Sequence, residues 1–279
     1  MTLIADSGST KADWVLADAG HGPVARLRTE GINPVHMADE AIAAVLASVR
    51  QWLATLTPLS TRHLTVEFYG SGVRPDQEER MERLLRQALG IRHAEARSDL
   101  LGAARALCGS SEGLACILGT GANSCLYDGE RIVANIPPMG FILGDEGSGA
   151  ALGKLFLNAL YKGRLGNAMI ETFEKEQHTT LAGVIDTVYR QPLPNRWLAS
   201  LSPFIHRHLD NPDVGDLVTG NFTDFIARNI EPYGRRDLPL NVVGSIAFHY
   251  SGHLRMAAEK AGYTVGRILR SPLDDTIRY

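Results

Sequence analysis

Cysteine is scarce in this chain of 279 residues: Cys108, Cys116 and Cys125 form an odd set with no C-x-x-C spacing. They read as small buried hydrophobes in a reduced compartment rather than as a disulfide framework. An excess of one charge is lacking too. A net charge of −3 gives no basic field for nucleic acid and no polybasic anchor for a membrane. The apolar runs fall well short of the ~20 residues that a spanning helix needs. Met1-Thr2-Leu3-Ile4 enters a strand without a cationic n-region or an apolar h-region, so a cytoplasmic protein is expected. The nine histidines include no H-E-x-x-H pair, and His206 and His208 fall on different faces of a predicted helix, so no protein-held metal cluster is visible. A G-x-S-x-G nucleophile elbow is missing as well.

Two common phosphate loops are also missing. A P-loop needs G-x-x-x-x-G-K-[ST] opening a helix, whereas Trp14 and Val15 after Lys11 favour a strand. A dinucleotide fingerprint needs a third glycine that Gly119-Thr120-Gly121 lacks. What is present is one unusual turn, used twice. Leu3-Ile4-Ala5-Asp6 runs into Ser7-Gly8-Ser9-Thr10-Lys11, with Ala12–Ala17 running out. Leu114–Leu118 runs into Gly119-Thr120-Gly121-Ala122-Asn123, with Ser124–Tyr127 running out before the Asp128-Gly129 turn. Both read as strand, tight turn of small residues, strand. Such a turn exposes successive backbone N–H groups, a concave site for anions. Either turn alone is also an ordinary hairpin. Together they suggest two related half-domains gripping a phosphate chain, hence an enzyme that uses ATP.

The length allows one large or two moderate domains. After the first hairpin a polar loop, Thr29–Pro34, precedes a helix with Ile42, Val45, Leu46, Val49, Trp52, Leu53 and Leu56 on one stripe. Leu64, Val66 and Phe68 alternate as a strand ending at Tyr69-Gly70-Ser71-Gly72. Asp76 is the expected cap of a helix that buries Met81, Leu84, Leu85 and Leu89 and stops at Gly90. A strand near Ile91–Ala96 delivers Ser98-Asp99 to a helix Leu100–Leu107. The second half continues through a glycine-rich approach, residues 135–149, to a helix near Ala150–Tyr161. A mostly helical region, Asn167–Arg236, breaks at Gln191–Pro194 and Asn211-Pro212. Buried strand Leu240–Val243 then meets Gly244-Ser245 and a helix through Met256–Ala258. Alternating strands and helices argue α/β. The expected halves are 1–109, rejoined by the last residues, and 110–279.

Asp6 ends the first strand, where ligands bind in open α/β sheets, and a carboxylate there suits Mg²⁺ held through water; the alternative is an Asx turn. Lys11 is either a phosphate neutraliser or a solvated lysine. Asp99 is either a general base for an attacking hydroxyl or, like Ser98, a helix cap. In Gly144-Asp145-Glu146-Gly147-Ser148-Gly149 the carboxylates suit a helix start. Three glycines in six residues suggest instead a backbone passing close to a ligand, with Asp145 offering an oxygen to sugar hydroxyls. Gly244-Ser245 is a further close-approach turn.

Taken in order, Asp6-Ser7-Gly8-Ser9-Thr10-Lys11, Ser98-Asp99, Gly119-Thr120-Gly121-Ala122-Asn123, Gly144–Ser148 and Val243-Gly244-Ser245 resemble the N-acetylglucosamine kinase branch of the BadF/BadG/BcrA/BcrD-type ATPases. The resemblance spans nearly the whole chain. It implies a two-domain actin-like ATPase fold, with ribonuclease H-like duplicated domains and an interdomain cleft, and the cofactors ATP and Mg²⁺. It implies phosphate contacts from Gly8, Ser9, Thr10, Lys11, Gly119, Thr120 and Gly121, with Gly244 and Ser245 near adenosine and Asp6 near Mg²⁺. Asn33, Asp99, Ala122, Asn123, Met139, Gly140 and Asp145 would bind the sugar, and Asp99 would be the base. The implied reaction is phosphorylation of an amino sugar, N-acetylglucosamine to its 6-phosphate. Members of that branch carry Trp-Gly where this chain has Met139-Gly140, which leaves the exact hexosamine open. The chain also leaves little of the C-terminal helix that packs back on the first domain in that branch. An ATP-hydrolysing activator of a reductive dehydratase is the alternative, with an iron–sulfur cluster held by cysteines. A sugar-sensing regulator would need a DNA-reading extension that is not visible, and an actin-like assembler would form filaments. The expected partner is a small-molecule sugar, and the sequence leaves a homodimer open.

Overall fold

The computed structural model describes residues 1–8, 10–18, 22–56 and 64–274. The chain divides into two units, Met1–Ala106 with the returning 3₁₀ turn Pro272–Asp274, and Leu107–Arg270.

In the first unit β1 (Thr2–Ser7), β2 (Lys11–Asp18) and β3 (Gly22–Glu30) form an antiparallel meander. After α1 (Asp39–Thr55), β4 (Thr65–Gly70) lies parallel to β1; after α2 (Pro75–Leu89), β5 (His93–Ser98) lies parallel to β4 and leads into α3 (Asp99–Cys108). The sheet order is β3-β2-β1-β4-β5. β1 is buried through Leu3, Ile4 and Ala5, as a strand covered on both faces must be. The core joins Leu3, Trp14, Phe68, the α1 stripe Ile42, Leu46, Val49 and Leu53, and the α2 stripe Met81, Leu84, Leu85 and Leu89. Leu273 is buried against Ile4, Val15 and Tyr69.

The second unit repeats that plan. β6 (Gly113–Leu118), β7 (Ala122–Tyr127) and β8 (Ile132–Asn135) form the meander. Next come α4 (Gly140–Leu143), α5 (Gly149–Tyr161), α6 (Asn167–Gln177), α7 (Leu181–Arg190), α8 (Pro194–Ser200), α9 (Ser202–Arg207) and α10 (Pro212–Phe225), which continues as a π-helical turn Ile226–Ile230. β9 (Leu240–Val243) pairs parallel to β6, and after α11 (Ser245–His249) and α12 (Ser251–Lys260), β10 (Val265–Leu269) pairs parallel to β9. The order β10-β9-β6-β7-β8 is the same topology as the first sheet, the third strand of the meander lying at one edge and the fifth strand at the other. The fold is the expected duplicated, actin-like α/β arrangement. Phe156, Phe173 and Phe204 form a ring-on-ring centre for the helices, with centroids 5.3–5.7 Å apart. Among the described residues no helix is long and apolar enough to cross a membrane.

Several local expectations change. β3, β8 and β10 are strands the sequence pattern leaves out. β3 is an edge strand in which Ala25, Leu27 and Thr29 alternate with Arg26, Arg28 and Glu30, so charge on its open face masks its period. Asp76 does not cap α2. Pro75 occupies the first helical position and Arg74 precedes it, while Asp76 Oδ2 accepts from Gln77 and its carboxylate pairs with Arg74. The fixed φ of proline presets that first turn and removes one orphan donor without a side-chain cap. Gly90 does end the helix, in the left-handed region at φ 69°.

The buried hydroxyl of Ser7 ties the end of β1 to the loop after β3. Its Oγ accepts from Ile32 N–H at 2.8 Å and donates to Ile32 O at 3.1 Å. The Ser7 carbonyl accepts from Ser71 N–H at 2.8 Å. Ser7→Ala leaves both polar groups of Ile32 without this partner in a fully buried place, and should cost about 1–3 kcal/mol. Ser7→Thr, which keeps the hydroxyl, should cost less; chemical denaturation of both variants measures the difference.

Candidate active site

In the first unit the parallel strands end together. Ser7, Gly70 and Ser98 stand side by side in register, so Asp6 precedes that row on β1 and Asp99 follows it at the start of α3. A Cβ on Gly70 would lie 2.4 Å from the Phe68 ring, so the middle of the row admits no side chain. Both carboxylates are half-buried. Burial, then repulsion from Asp99 and Asp13, pushes Asp6 up to about 7, against a pull from Lys11. Burial pushes Asp99 up to about 6, held back by the Leu100 N–H and its own N–H.

The helix cap and the acid are separate residues here. Ser98 Oγ accepts from Leu101 N–H at 3.2 Å, the capping bond of α3. Asp99 Oδ1 accepts from Leu100 N–H at 2.8 Å, and apart from its own N–H no other group among the described residues donates to this carboxylate. No side chain therefore competes for the proton it would take, on a group whose pKa lies near neutrality. The Asp6 side chain makes no hydrogen bond among the described residues either. That argues against the Asx turn and suits a few hard oxygens facing a hydrated divalent cation.

Asn33 adjoins this edge. Its Oδ1 accepts from Val35 N–H at 3.0 Å, and a Cβ on Gly72 would overlap its side chain at 2.2 Å. Gly8 N–H donates to Lys11 O at 3.0 Å, closing the β1–β2 turn. Lys11 Nζ lies 2.7 Å from Asp13 Oδ2, and Arg28 pairs with the other oxygen. Thr10 is exposed, and Ser9 lies outside the described residues.

The second unit carries the matching turn. Gly119 N–H donates to Gly121 O at 3.0 Å. The Gly119 and Thr120 carbonyls accept from Gly149 and Ala150 N–H at 2.8 and 3.1 Å, and Ser148 Oγ accepts from Ala151 N–H at 3.1 Å. The first donors of α5 are thus used internally, so an anion would meet the turn rather than the helix end. The Thr120 and Gly121 N–H groups make no hydrogen bond among the described residues. Gly244 packs on the same place: its φ is 127°, and a Cβ there would lie 2.2 Å from Leu118 O. Only glycine satisfies both the dihedral and the contact.

Asp145 lies against the turn, its Oδ2 3.0 Å from where a Cβ of Gly121 would stand. It does not cap α5, because Ser148 does. Its φ of 57° is left-handed, and its N–H donates to Pro138 O at 2.9 Å, closing residues 138–145 into a loop that carries exposed Met139 and Gly140. Burial pushes Asp145 up to about 6, with the Ala122 N–H and Lys154 pulling it down and Glu146 pushing it up. Asn123 Oδ1 accepts from Ser124 N–H and Asn135 Nδ2, each at 2.9 Å, and Ala122 is buried beside it.

Three supports escaped the sequence pattern. Asn221, nearly fully buried on α10, accepts from Gly147 N–H and donates to Ser148 O. Asn229 in the π-helical turn donates to Glu146 Oε2 at 3.3 Å. Half-buried Lys154 donates to Phe141 O. A polar residue inside an apolar helical stripe is the only signal for Asn221. Cys116 and Cys125 are buried and Cys108 half-buried. Burial pushes Cys108 up to about 11 and Cys125 to about 12, and among the described residues no group of three or more His, Cys, Asp or Glu side chains is placed to hold a metal ion.

No family model and no curated protein sequence matches this chain. Its fold is similar to the crystal structure of a protein from Porphyromonas gingivalis provisionally named an N-acetylglucosamine kinase. The TM-score is 0.94 and the identity 46%, over 100% of this chain and 98% of that one. A protein of the same provisional name from Chromobacterium violaceum gives 0.76 and 18%, over 99% and 97%. A ROK family glucokinase from Streptomyces griseus, in complex with glucose and AMPPNP, gives 0.55 and 13%, over 96% and 93%. The last two show a shared fold.

A pH-dependent stability follows from Asp6. Its folded pKa, about 7, exceeds the ordinary value of 3.8, so the folded state holds a proton that the unfolded state releases between those values. Stability therefore falls as pH rises through that window. Asp6→Asn removes the penalty and should stabilise by about 1–2 kcal/mol at pH 8, after allowance for solvent screening. The gain should shrink towards zero at pH 4. Melting curves at the two pH values check it.

Proposed function

The chain belongs to the same family as the Porphyromonas gingivalis protein, the N-acetylglucosamine kinase branch of the actin-like ATPases, and from that membership we propose that it transfers the γ-phosphoryl group of ATP to an amino sugar. The substrate is N-acetylglucosamine and the acceptor its 6-hydroxyl. The observation that carries this reading is Asp99: a carboxylate at a strand end, relieved of capping by Ser98, met only by backbone N–H groups among the described residues, and with its pKa raised to about 6.

Phosphoryl transfer asks a protein mainly for positioning and for stabilisation of charge. Asp99 accepts the proton of the sugar hydroxyl at Oδ2 as the new P–O bond forms, while Leu100 N–H steadies Oδ1. The Thr120 and Gly121 N–H groups meet phosphate oxygens, and the side-chain-free Gly119 leaves room for them. Thr10, with Gly8, Ser9 and Lys11, is the equivalent turn of the first unit. Gly244 and Ser245 adjoin the nucleoside. Asn33, Ala122, Asn123 and the Met139-Gly140 backbone, with Asp145, bind the sugar. Asp6 would hold hydrated Mg²⁺, which supplies neutralisation of phosphate charge. Release of ADP measured against a panel of hexosamines tests the reading: N-acetylglucosamine should stimulate it most, and a flat panel would remove the kinase assignment.

Asp99→Asn should leave the melting temperature at or above wild type at neutral pH, because it removes a carboxylate that burial makes costly to ionise, and should lower kcat by roughly 10²–10⁴, the usual worth of a positioned base. Retained kcat would reduce Asp99 to a support of α3. Gly119→Val tests the nucleotide side. A Cβ at Gly119 meets no atom within 4 Å, so the variant should fold normally. Its ATP KM should rise at least about tenfold, because the branched side chain fills space the phosphates use, while sugar KM changes little. Calorimetry with a non-hydrolysable ATP analogue separates the two effects.

A further inference from the structure

We propose that Lys154 is a positioning residue for the sugar: its ammonium pins the 138–145 loop and, through that loop and its own charge, holds Asp145 ready to accept sugar hydroxyls. The role rests on the reading of Asp145 as a sugar ligand. Lys154 lies on the second turn of α5, a helix otherwise dominated by Ala150, Ala151, Leu152, Phe156, Leu157 and Leu160. It is half-buried, and no carboxylate lies within ion-pair distance of it among the described residues. A lysine in such a place ordinarily extends to water or finds an acid. This one donates instead to the backbone carbonyl of Phe141.

That carbonyl belongs to a loop with little freedom of its own. Met139, Gly140 and Asp145 have φ of 60°, 74° and 57°, so two side-chain-bearing residues occupy the left-handed region at a cost. A Cβ on Gly144 would lie 2.2 Å from Pro138 O. The Asp145 N–H to Pro138 O bond closes the loop, but nothing within it opposes opening towards water except Gly144 N–H to Gly140 O. Its side chains argue for an external hold as well. Met139, Ile142 and Leu143 are exposed and only half-buried Phe141 packs against the core, so the loop gains little from apolar burial beyond that one ring, and Lys154 adds a polar anchor from α5 at the backbone of the same residue.

The same ammonium acts on Asp145 by charge. The charged and polar groups facing that carboxylate are the Ala122 N–H from β7, Lys154 from α5 and Glu146 from its own segment. Glu146 is itself engaged by Arg228 and Asn229. Lys154 is therefore the one cation among these that favours the ionised form of Asp145, and an ionised carboxylate accepts hydrogen bonds about twice as strong as a neutral acceptor does.

The experiment compares wild type with Lys154→Met, Lys154→Gln and Lys154→Arg, reading steady-state kinetics between pH 5 and 9, melting temperature and chymotryptic cleavage at Phe141 and Leu143. Lys154→Met should raise sugar KM about tenfold, leave ATP KM within about twofold, and move the acid limb of kcat/KM for the sugar to higher pH. Lys154→Arg should restore both limb and KM. Lys154→Gln, which can still reach the carbonyl without charge, should keep the shifted limb and serve in place of Lys154→Met if that variant is unstable. In native protein the loop should resist chymotrypsin, and Lys154→Met should be cut at least about tenfold faster. Unchanged sugar KM and pH limb in the uncharged variants, or equal losses in sugar KM, ATP KM and melting temperature for all three, would overturn the proposal. The cleavage arm needs no turnover: should wild type phosphorylate no hexosamine, the kinase reading fails on its own, while unaltered cleavage in Lys154→Met refutes the pinning.

Discussion

Carboxylates held at the ends of parallel strands are the constraint on which the rest of the first unit depends. Asp6 and Asp99 flank the row Ser7–Gly70–Ser98, and burial makes both costly to ionise. A chain selected for stability alone would gain by placing neutral residues there. The surrounding structure offsets that cost: Ser7 fastens the Ile32 loop, Ser98 takes over the cap, and Gly70 keeps the middle of the row clear. Strained or uncompensated groups concentrate where function needs them, and this edge fits that pattern.

The second unit meets a related demand with backbone. The sheet order is repeated, but the hydrogen bonds of the turn are arranged so that its carbonyls serve α5 and the Thr120 and Gly121 N–H groups have no partner among the described residues. Gly244 then seals the turn from the β9 side with a contact that no other residue could make. Six helices between α4 and β9 supply the large apolar core that makes this backbone rigid. Asn221, a polar group inside that core, spends its hydrogen bonds on the Gly147–Ser148 corner. A buried network that is fully satisfied rigidifies its surroundings.

How much was legible in the sequence follows the physics of each element. α1 and α2 show their buried stripes residue by residue because period and burial coincide. Leu240–Val243 is read to the residue because Leu240, Val242 and Val243, buried on both faces of the sheet, stand between Pro239 and Gly244 and outweigh the one polar residue, Asn241. β3 hides because an edge strand carries its charges where a core strand carries apolar side chains. Asp76 was misread because a cap preference is local and a proline at the first position makes it unnecessary. At the candidate site the glycine and carboxylate motifs announced themselves by composition. Ser7, Lys154 and Asn221 did not, because each acts on a backbone group distant in sequence, from 13 residues away for Lys154 to 74 for Asn221.

The most direct measurement of this account is a carbon-13 NMR titration of the aspartate carboxyls, wild type against Asp99→Asn. The account predicts three groups titrating near pH 6–7, Asp6, Asp99 and Asp145, well above the ordinary 3.8, of which Asp99→Asn removes one. It also predicts that loss of Asp99 lowers the Asp6 midpoint without returning it to the ordinary value, because burial is the larger cause. Asp6 and Asp99 both titrating near pH 4, or an Asp6 midpoint indifferent to Asp99, would contradict the coupled strand-end pair.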